Sequence, residues 1–305
     1  MASYTYPVKH PEGTLTTEQV HALLSSSRVV AKRVASLVDQ KFIADFLLSG
    51  RFSAQGGGVF YETGEEIFAA DSPEAVAPGA EYPKTVLTQG EIAAAKTVKW
   101  GIESDITDEK IAREGITVVN RALGRLGNTV VKHVDGVAMA VITAKVTDTA
   151  AAAGAWTTPG VMLETIEAQA AARAELGTGI DLDTVLLKPA KYAKLLGIFI
   201  DKGALPREAG NAAITGNLPV ELFGWTFVTS PHYASDNPML LDREQLGGMA
   251  DEDLGSPGYV RTGTFGVETK SDRHRDDKYE VRARRVTVPV VTEPKAGITI
   301  TGTAL

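Results

Sequence analysis

The sequence predicts an α+β protein, and three features carry that prediction. In residues 116–142, Val119, Leu123, Leu126, Val130, Val134, Val137 and Val141 recur at steps of three and four. That spacing is one face of a helix about 40 Å long. Residues 91–103 and 279–290 alternate with a period of two, as strands with two distinct faces do. Between these, residues 158–242 intersperse strand-like runs with helical ones.

The chain has 305 residues, 44% of them hydrophobic and 23% charged, enough for a large core and for two domains. A net charge of −7 and a pI near 5.4 argue against a dedicated nucleic-acid binder, although one basic face remains compatible with that average. With no cysteine, disulfides, thiol catalysis and cysteine-zinc sites are excluded. The opening MASYTYPVKHPEG has no apolar signal-peptide core and no run approaches 18 apolar residues, so neither a secretion signal nor a membrane span is expected.

Residues 1–15 read as an extended arm, because Pro7, Pro11 and Gly13 oppose a helix. Thr16 and Gln19 form a capping box that starts a helix running to about Ser25. Val30, Val34, Val38, Phe42 and Phe46 continue as one helical stripe until Ser49 and Gly50 stop it. Arg28, Lys32, Arg33, Lys41 and Arg51 give this region a basic excess, either a solvated helix face or a contact for polyanion or an acidic neighbour.

After the Gln55-Gly56-Gly57-Gly58 run, Val59 to Glu62 is strand-like, and residues 91–103 make the return strand. The acidic, proline-containing connection between them carries almost no core-forming residues. A loop of that length is functional or disordered. A paired stem with such a tip is an arm that packs on something outside its own domain.

Ser104, Asp105, Thr107 and Asp108 are helix-start signals for the short helix DEKIARE, which leads through Gly115 into the long one. On the long helix Arg121, Arg125, Asn128, Lys132 and Asp135 fall on the polar side, and Gly124, Gly127 and Gly136 each cost about 1 kcal/mol of helix propensity. Residues 143–156 read as a small-residue linker and a domain boundary. Thr158-Pro159 starts a helix that ends at Gly177. Residues 184–187 read as a buried strand, followed by a turn at Pro189 and a short helix closed by Gly197. Residues 203–218 are a loop, and 224–231 and 239–242 are two strands. Residues 264–269 form a strand, SDRHRDDK a charged turn, and the phase switch from Tyr279, Val281 and Ala283 to Val286, Val288 and Val290 predicts a bulge near Arg285. Ile298 and Ile300 mark a last strand.

No catalytic constellation emerges. There is no GxxxxGK[ST] phosphate loop and no GxSxG elbow. His10, His21, His133, His232 and His274 are scattered without metal-ligand spacing; His133 reads as structural, and His274-Arg275-Asp276 as part of a charged turn. Asp181 and Asp183 are explained by the start of a strand. Catalytic, cofactor-binding and metal-ligating residues are therefore all assigned as none.

The order of elements resembles the major capsid protein of tailed bacteriophages, the Hong Kong 97-type fold. KTVKWGIESDITDEKIARE resembles the family's return strand entering the short helix before its spine. DTVLLKPAKYAKLLG resembles the strand-proline-helix unit of the axial domain, LFGWTFVTSP and MLLD its central strands, and YEVRARRVTVPVVTEPKAGITI its closing strands. The resemblance implies an N-terminal arm and helix at 1–50, an extended β-hairpin loop at 51–103, a peripheral domain with spine helix at 104–147 plus 255–305, and an axial domain at 148–254. It also implies a structural protein without enzyme activity or cofactor, assembling with itself into hexamers and pentamers of an icosahedral shell around double-stranded DNA. The further partners expected are a separate scaffold protein or none, a portal and a decoration protein, and no membrane. Lysine-asparagine cross-linking is not expected: Lys84 offers an amine, but no asparagine follows Asn237. The alternatives are a bacterial encapsulin-type compartment shell, of the same fold, and, more remotely, an α/β hydrolase or lyase.

Overall fold

The computed structural model describes residues 15–38, 42–64, 90–203, 220–261 and 265–305, with positions 75, 76, 78, 79, 81, 82, 84, 85 and 263. The N-terminal arm, most of the hairpin connection, the loop from residue 204 onward and Thr264 lie outside the described residues. In chain order the first elements are α1 (Thr17–Leu24), α2 (Ser27–Val38), α3 (Ala44–Leu47), β1 (Gly50–Ser53), β2 (Gly58–Thr63), β3 (Glu91–Lys96), β4 (Val98–Thr107), α4 (Asp108–Glu114) and α5 (Ile116–Lys145). Then come β5 (Thr149–Ala151), α6 (Pro159–Glu175), β6 (Thr184–Leu187), α7 (Pro189–Asp201), β7 (Val220–Leu222), β8 (Trp225–Thr229) and β9 (Met239–Leu241). The last are α8 (Arg243–Leu246), β10 (Gly247–Asp251), β11 (Val260–Arg261), β12 (Glu268–His274), β13 (Lys278–Val291), a 3-10 turn at Pro294–Ala296 and β14 (Gly297–Thr301). Two compact units are formed: Met1–Phe42, Val98–Val134 and Glu252–Thr287 make one, and Ile43–Thr97, Asp135–Asp251 and Val288–Leu305 the other.

In the first unit the capping box forms as the sequence requires. Thr16 accepts from the Gln19 amide at 3.3 Å, and its own amide donates to Gln19 Oε1 at 3.0 Å. On α2, Val30 and Val34 are buried, and the helix is tied to β12 where the Ser27 hydroxyl donates to the Ser271 carbonyl at 3.2 Å. β13 runs antiparallel between β4 and β12, in register from Tyr279 opposite Ile106 to Thr287 opposite Val98, and from His274 opposite Lys278 to Glu268 opposite Arg284.

That unbroken register corrects the expected bulge at Arg285. The phase switch arises because this part of the strand is covered on both faces: Arg284, Arg285, Val286 and Thr287 are all buried. Arg285 is fully buried, with its guanidinium over the Phe42 ring at 4.8 Å. The strand before it begins at Glu268, not in residues 265–267, and continues to His274, so the turn is only Arg275 to Asp277, with Asp277 at φ 52°. Pairing with β13 holds SDRH extended despite its charge.

In the second unit a mixed sheet has the order β5-β14-β9-β6-β8-β7, with all four residues of β6 buried. Residues 143–156 are not a linker. Thr149–Ala151 pairs in parallel with Thr299–Thr301 and Trp156 is buried, so the small residues mark a strand packed at a sheet edge. The closing strand β14 thus joins the sheet that holds the strands of residues 184–241. Gly197 does not close α7. The helix runs on to Asp201 because Phe199 is buried and stacks on Phe223, and that packing outweighs one glycine. β1, absent from the sequence reading, pairs in parallel with β10; a Cβ on Gly248 would lie 2.2 Å from the Gly50 carbonyl oxygen, which explains the glycines there.

The helical stripe of residues 30–46 is broken into α2 and α3. Asp135 supplies the reason: its carboxylate accepts from the Ile43 and Ala44 amides at 3.3 and 3.0 Å, partners available only where a helix begins. Asp135 itself, placed on the polar side by periodicity, is buried. The spine helix α5 has 30 residues and spans the expected range. Val119, Leu123, Leu126, Val130 and Val134 are buried; beyond them the buried positions are Ala138, Met139 and Ile142, with Val137 and Val141 only half-buried. The stripe shifts where the helix passes from one unit to the other. A Cβ on Gly124 would meet nothing within 4 Å, so no close contact requires that glycine. No described helix is long and apolar enough to cross a membrane.

Candidate assembly interface

Residues 91–103 form two strands, not one. β3 ends at Lys96 and pairs with β2, while β4 begins at Val98 and pairs with β13. Thr97, whose amide donates to the Gly57 carbonyl at 3.0 Å, separates them. The stem of β2 and β3 is in register from Gly58 opposite Lys96 to Thr63 opposite Glu91. With a period of two, its faces differ sharply. Val59, Tyr61 and Ala95 pack on a cluster of Ala54, Ala250 and Val290. The opposite face carries Phe60, 81% exposed, directly across from Ala94, with Ile92, 68% exposed, one pair further along. Glu62 and Lys96 bracket this apolar row. Tyr82, in the connection, is 80% exposed.

The second structured surface is the charged ladder across β4, β13 and β12. Arg282 lies opposite Glu103 and binds it at 2.7 Å. Glu280 and Asp105, two like charges, face each other across the ladder, and Lys278 bridges them at 2.8 Å to Asp105 and 3.4 Å to Glu280. Hydrogen bonding to Asp105 raises the Lys278 pKa, and hydrogen bonding to Glu103 raises that of Arg282. Arg273 grips Asp108 with two bonds of 2.5 and 2.6 Å, which holds the Asp108 carboxyl below its ordinary 3.8. Arg284 and Glu268 form a buried pair at 2.7 Å, with the Arg284 guanidinium 3.6 Å from the centre of the Tyr259 ring.

The sequence-flagged residues are dispersed. Arg28 and Lys32 are exposed on α2 and Arg33 is half-buried; Lys41 and His10 lie outside the described residues. Arg51 pairs with Asp45. His133, read as structural, is exposed and stands against the Trp100 ring with centroids 4.3 Å apart. His274, the last residue of β12, pairs with Asp276 of the charged turn at 3.0 Å. The Asp181 amide donates to Asp242 at 2.9 Å and Asp183 approaches Arg243 at 3.5 Å, both beside the start of β6. Among the described residues no group of three or more histidines and carboxylates is placed to hold a metal ion. Lys84 is exposed, and the Asn237 carbonyl accepts from the Tyr233 hydroxyl at 2.8 Å within its own turn. The chemistry such an arrangement supports is contact, through apolar rows and charge ladders.

Several solved structures share this fold. A phage-related protein from Bordetella bronchiseptica RB50 matches with a TM-score of 0.58 at 15% identity, over 91% of this chain and 97% of its own. The capsid of cyanophage P-SCSP1u matches at 0.56 and 12% identity, over 82% and 85% of the two chains. The capsid of Ralstonia phage GP4 matches at 0.54 and 12%, with the same coverages of 82% and 85%. Comparison with curated proteins gave no match. The family described as phage capsid protein matches residues 90–300, which decides against both the compartment-shell and the enzyme readings. The chain therefore belongs to the phage capsid protein family: it is a major capsid protein, a structural component of the virion.

Proposed function

We propose that copies of this chain form hexamers and pentamers, and that the hairpin of residues 51–103 lies over a neighbouring subunit and joins them. The observation that carries this reading is the outward face of the stem, where Phe60, Ala94 and Ile92 form an exposed apolar row on a two-stranded ribbon. Such ribbons are marginal alone, and contiguous apolar surface on a soluble subunit marks a contact site. A contact between two different patches repeats around a ring, which is the geometry a capsomer needs. On this reading residues 1–50 are the N-terminal arm and helix, 104–147 with 255–305 the peripheral domain, and 148–254 the axial domain. A separate scaffold protein, a portal and a decoration protein complete the partners, and packaged double-stranded DNA is contacted non-specifically. The exposed Arg28 and Lys32 of α2, with Arg33, are candidate DNA contacts.

Deleting residues 63–84 tests the role of the hairpin. The subunit is expected to fold, with unchanged circular dichroism, and to form no closed shells by electron microscopy. Normal shells from that variant would refute the assignment.

A further inference from the structure

β4 is an edge strand: it pairs with β13 along all of its 10 residues and with no other described strand. Asp108, one step past its end, donates its amide to the Asp277 carbonyl in continuation of that register. Backbone groups alternate between the two edges of a strand, so the amides and carbonyls of Lys99, Gly101, Glu103 and Asp105 point away from β13. All four residues are exposed. An edge of this length is a template for another strand unless a proline or a bulge blunts it. Residues 98–107 hold no proline, and their register with β13 is unbroken. One face of the strand is apolar as well: Trp100 is half-buried, and Ile102 and Val98, beside it on that face, are 41% and 39% exposed.

This edge is complementary to itself. Two β4 strands laid antiparallel about a two-fold axis at Gly101 set Lys99 of each copy opposite Glu103 of the other, and Trp100 opposite Ile102. Gly101, Lys99 and Glu103 then exchange their outward amides and carbonyls. Trp100 and Ile102 fall at the non-bonded positions, where side chains come closest. Moving the axis one residue along the strand takes Trp100 off Ile102, and moving it two sets Lys99 on Lys99 or Glu103 on Glu103. Lys99 makes no ion pair among the described residues, and the Glu103 side chain, bound by Arg282 through Oε2, is 58% exposed. Edge charges of one sign would repel a second copy, whereas opposite signs placed symmetrically about Gly101 attract it. We propose that β4 pairs antiparallel with β4 of a second copy about Gly101, joining the sheets of two subunits. Such a contact is isologous, whereas the rings of the capsomers use contacts between unlike patches, so the two-fold joint ties one ring to the next. The pairing rests on β4 alone; only its placement between rings rests on the capsomer reading above.

Disulfide trapping in the assembled full-length protein tests it. In this register Val98 falls opposite Ser104 at a non-bonded position, with Cα atoms about 4.5 Å apart and within disulfide reach. Along one strand the same two residues are about 20 Å apart, and the chain has no cysteine of its own. Val98→Cys with Ser104→Cys is therefore expected to give covalent dimers on oxidation with copper–phenanthroline, and neither change alone should. Monomers only would mean that β4 is unpaired or pairs with another partner, and a ladder of larger oligomers would mean a head-to-tail contact; either result overturns the proposal. Adding Lys99→Glu to the cysteine pair is expected to lower the dimer yield about ten-fold, because it sets acid against acid twice. Adding Glu103→Lys as well should restore it. The same two charge changes without cysteines give a second reading, in which the yield of closed particles falls with Lys99→Glu and recovers with the swap. An unaltered yield after the reversal, or no recovery after the swap, would also overturn the pairing. Failure of the hairpin reading appears separately, as normal assembly after deletion of residues 63–84.

Discussion

Two antiparallel hairpins in this chain have similar stems and opposite fates. β12 and β13 turn through Arg275 to Asp277, and their charges are satisfied within the subunit: Arg273 by Asp108, Lys278 by Asp105 and Glu280, Arg284 by Glu268. β2 and β3 are joined by residues 64–90, and their stem leaves Phe60 and Ile92 in solvent. The first hairpin is complete as a monomer. The second has one face anchored on Ala54, Ala250 and Val290 and the other unfinished. A subunit that must be soluble before assembly and cohesive after it divides those demands between separate ribbons.

The comparison is open to breakage from both sides. Glu268→Ala should have the largest effect on the isolated subunit, because it strands the buried Arg284 without its carboxylate; about 3–5 kcal/mol of stability should be lost, measured by denaturant unfolding. Phe60→Asp should do the reverse. Subunit stability should change by no more than about 0.5 kcal/mol, as for exposed positions generally, while particle formation read by sedimentation and microscopy should fail. A Phe60→Asp variant that unfolds, or a Glu268→Ala variant as stable as the parent, would erase the distinction.

The smallest effect belongs to Asp108, whose side chain is about one third exposed. Asp108→Asn should cost under about 1 kcal/mol at neutral pH, as solvent-screened pairs do. Because the Arg273 hydrogen bonds hold its carboxyl below 3.8 in the folded protein, the contribution is complete above that value and is lost as pH falls through the lowered one. The difference in stability between the parent and Asp108→Asn should therefore shrink below about pH 4, and a constant difference down to pH 2 would refute the clamp.

What could be read from the sequence was what neighbouring residues decide. The Thr16–Gln19 capping box, the helix DEKIARE after Thr107, the buried strand at Thr184 and the stem at Val59 all formed where local pattern placed them. Errors came where a distant partner decides. Asp135 looked like a surface residue because periodicity does not reveal the Ile43 and Ala44 amides that it caps. Arg285 looked like a register fault because a fully buried arginine over Phe42 is indistinguishable by pattern from a slip in alternation. Thr97 looked like mid-strand because the break depends on β3 and β4 pairing with different strands. The hairpin was legible for a compositional reason, its want of core residues, whereas the contact of His133 with the Trp100 ring exists only through tertiary packing.

Electron microscopy of the purified full-length protein, with nuclease-protected DNA measured on the same particles, tests the central claim most directly. The account predicts closed shells of uniform size that form from this chain and retain DNA when produced with the packaging machinery. A monodisperse monomer that forms no shells under any assembly condition, or shells filled with protein cargo in place of DNA, would contradict it.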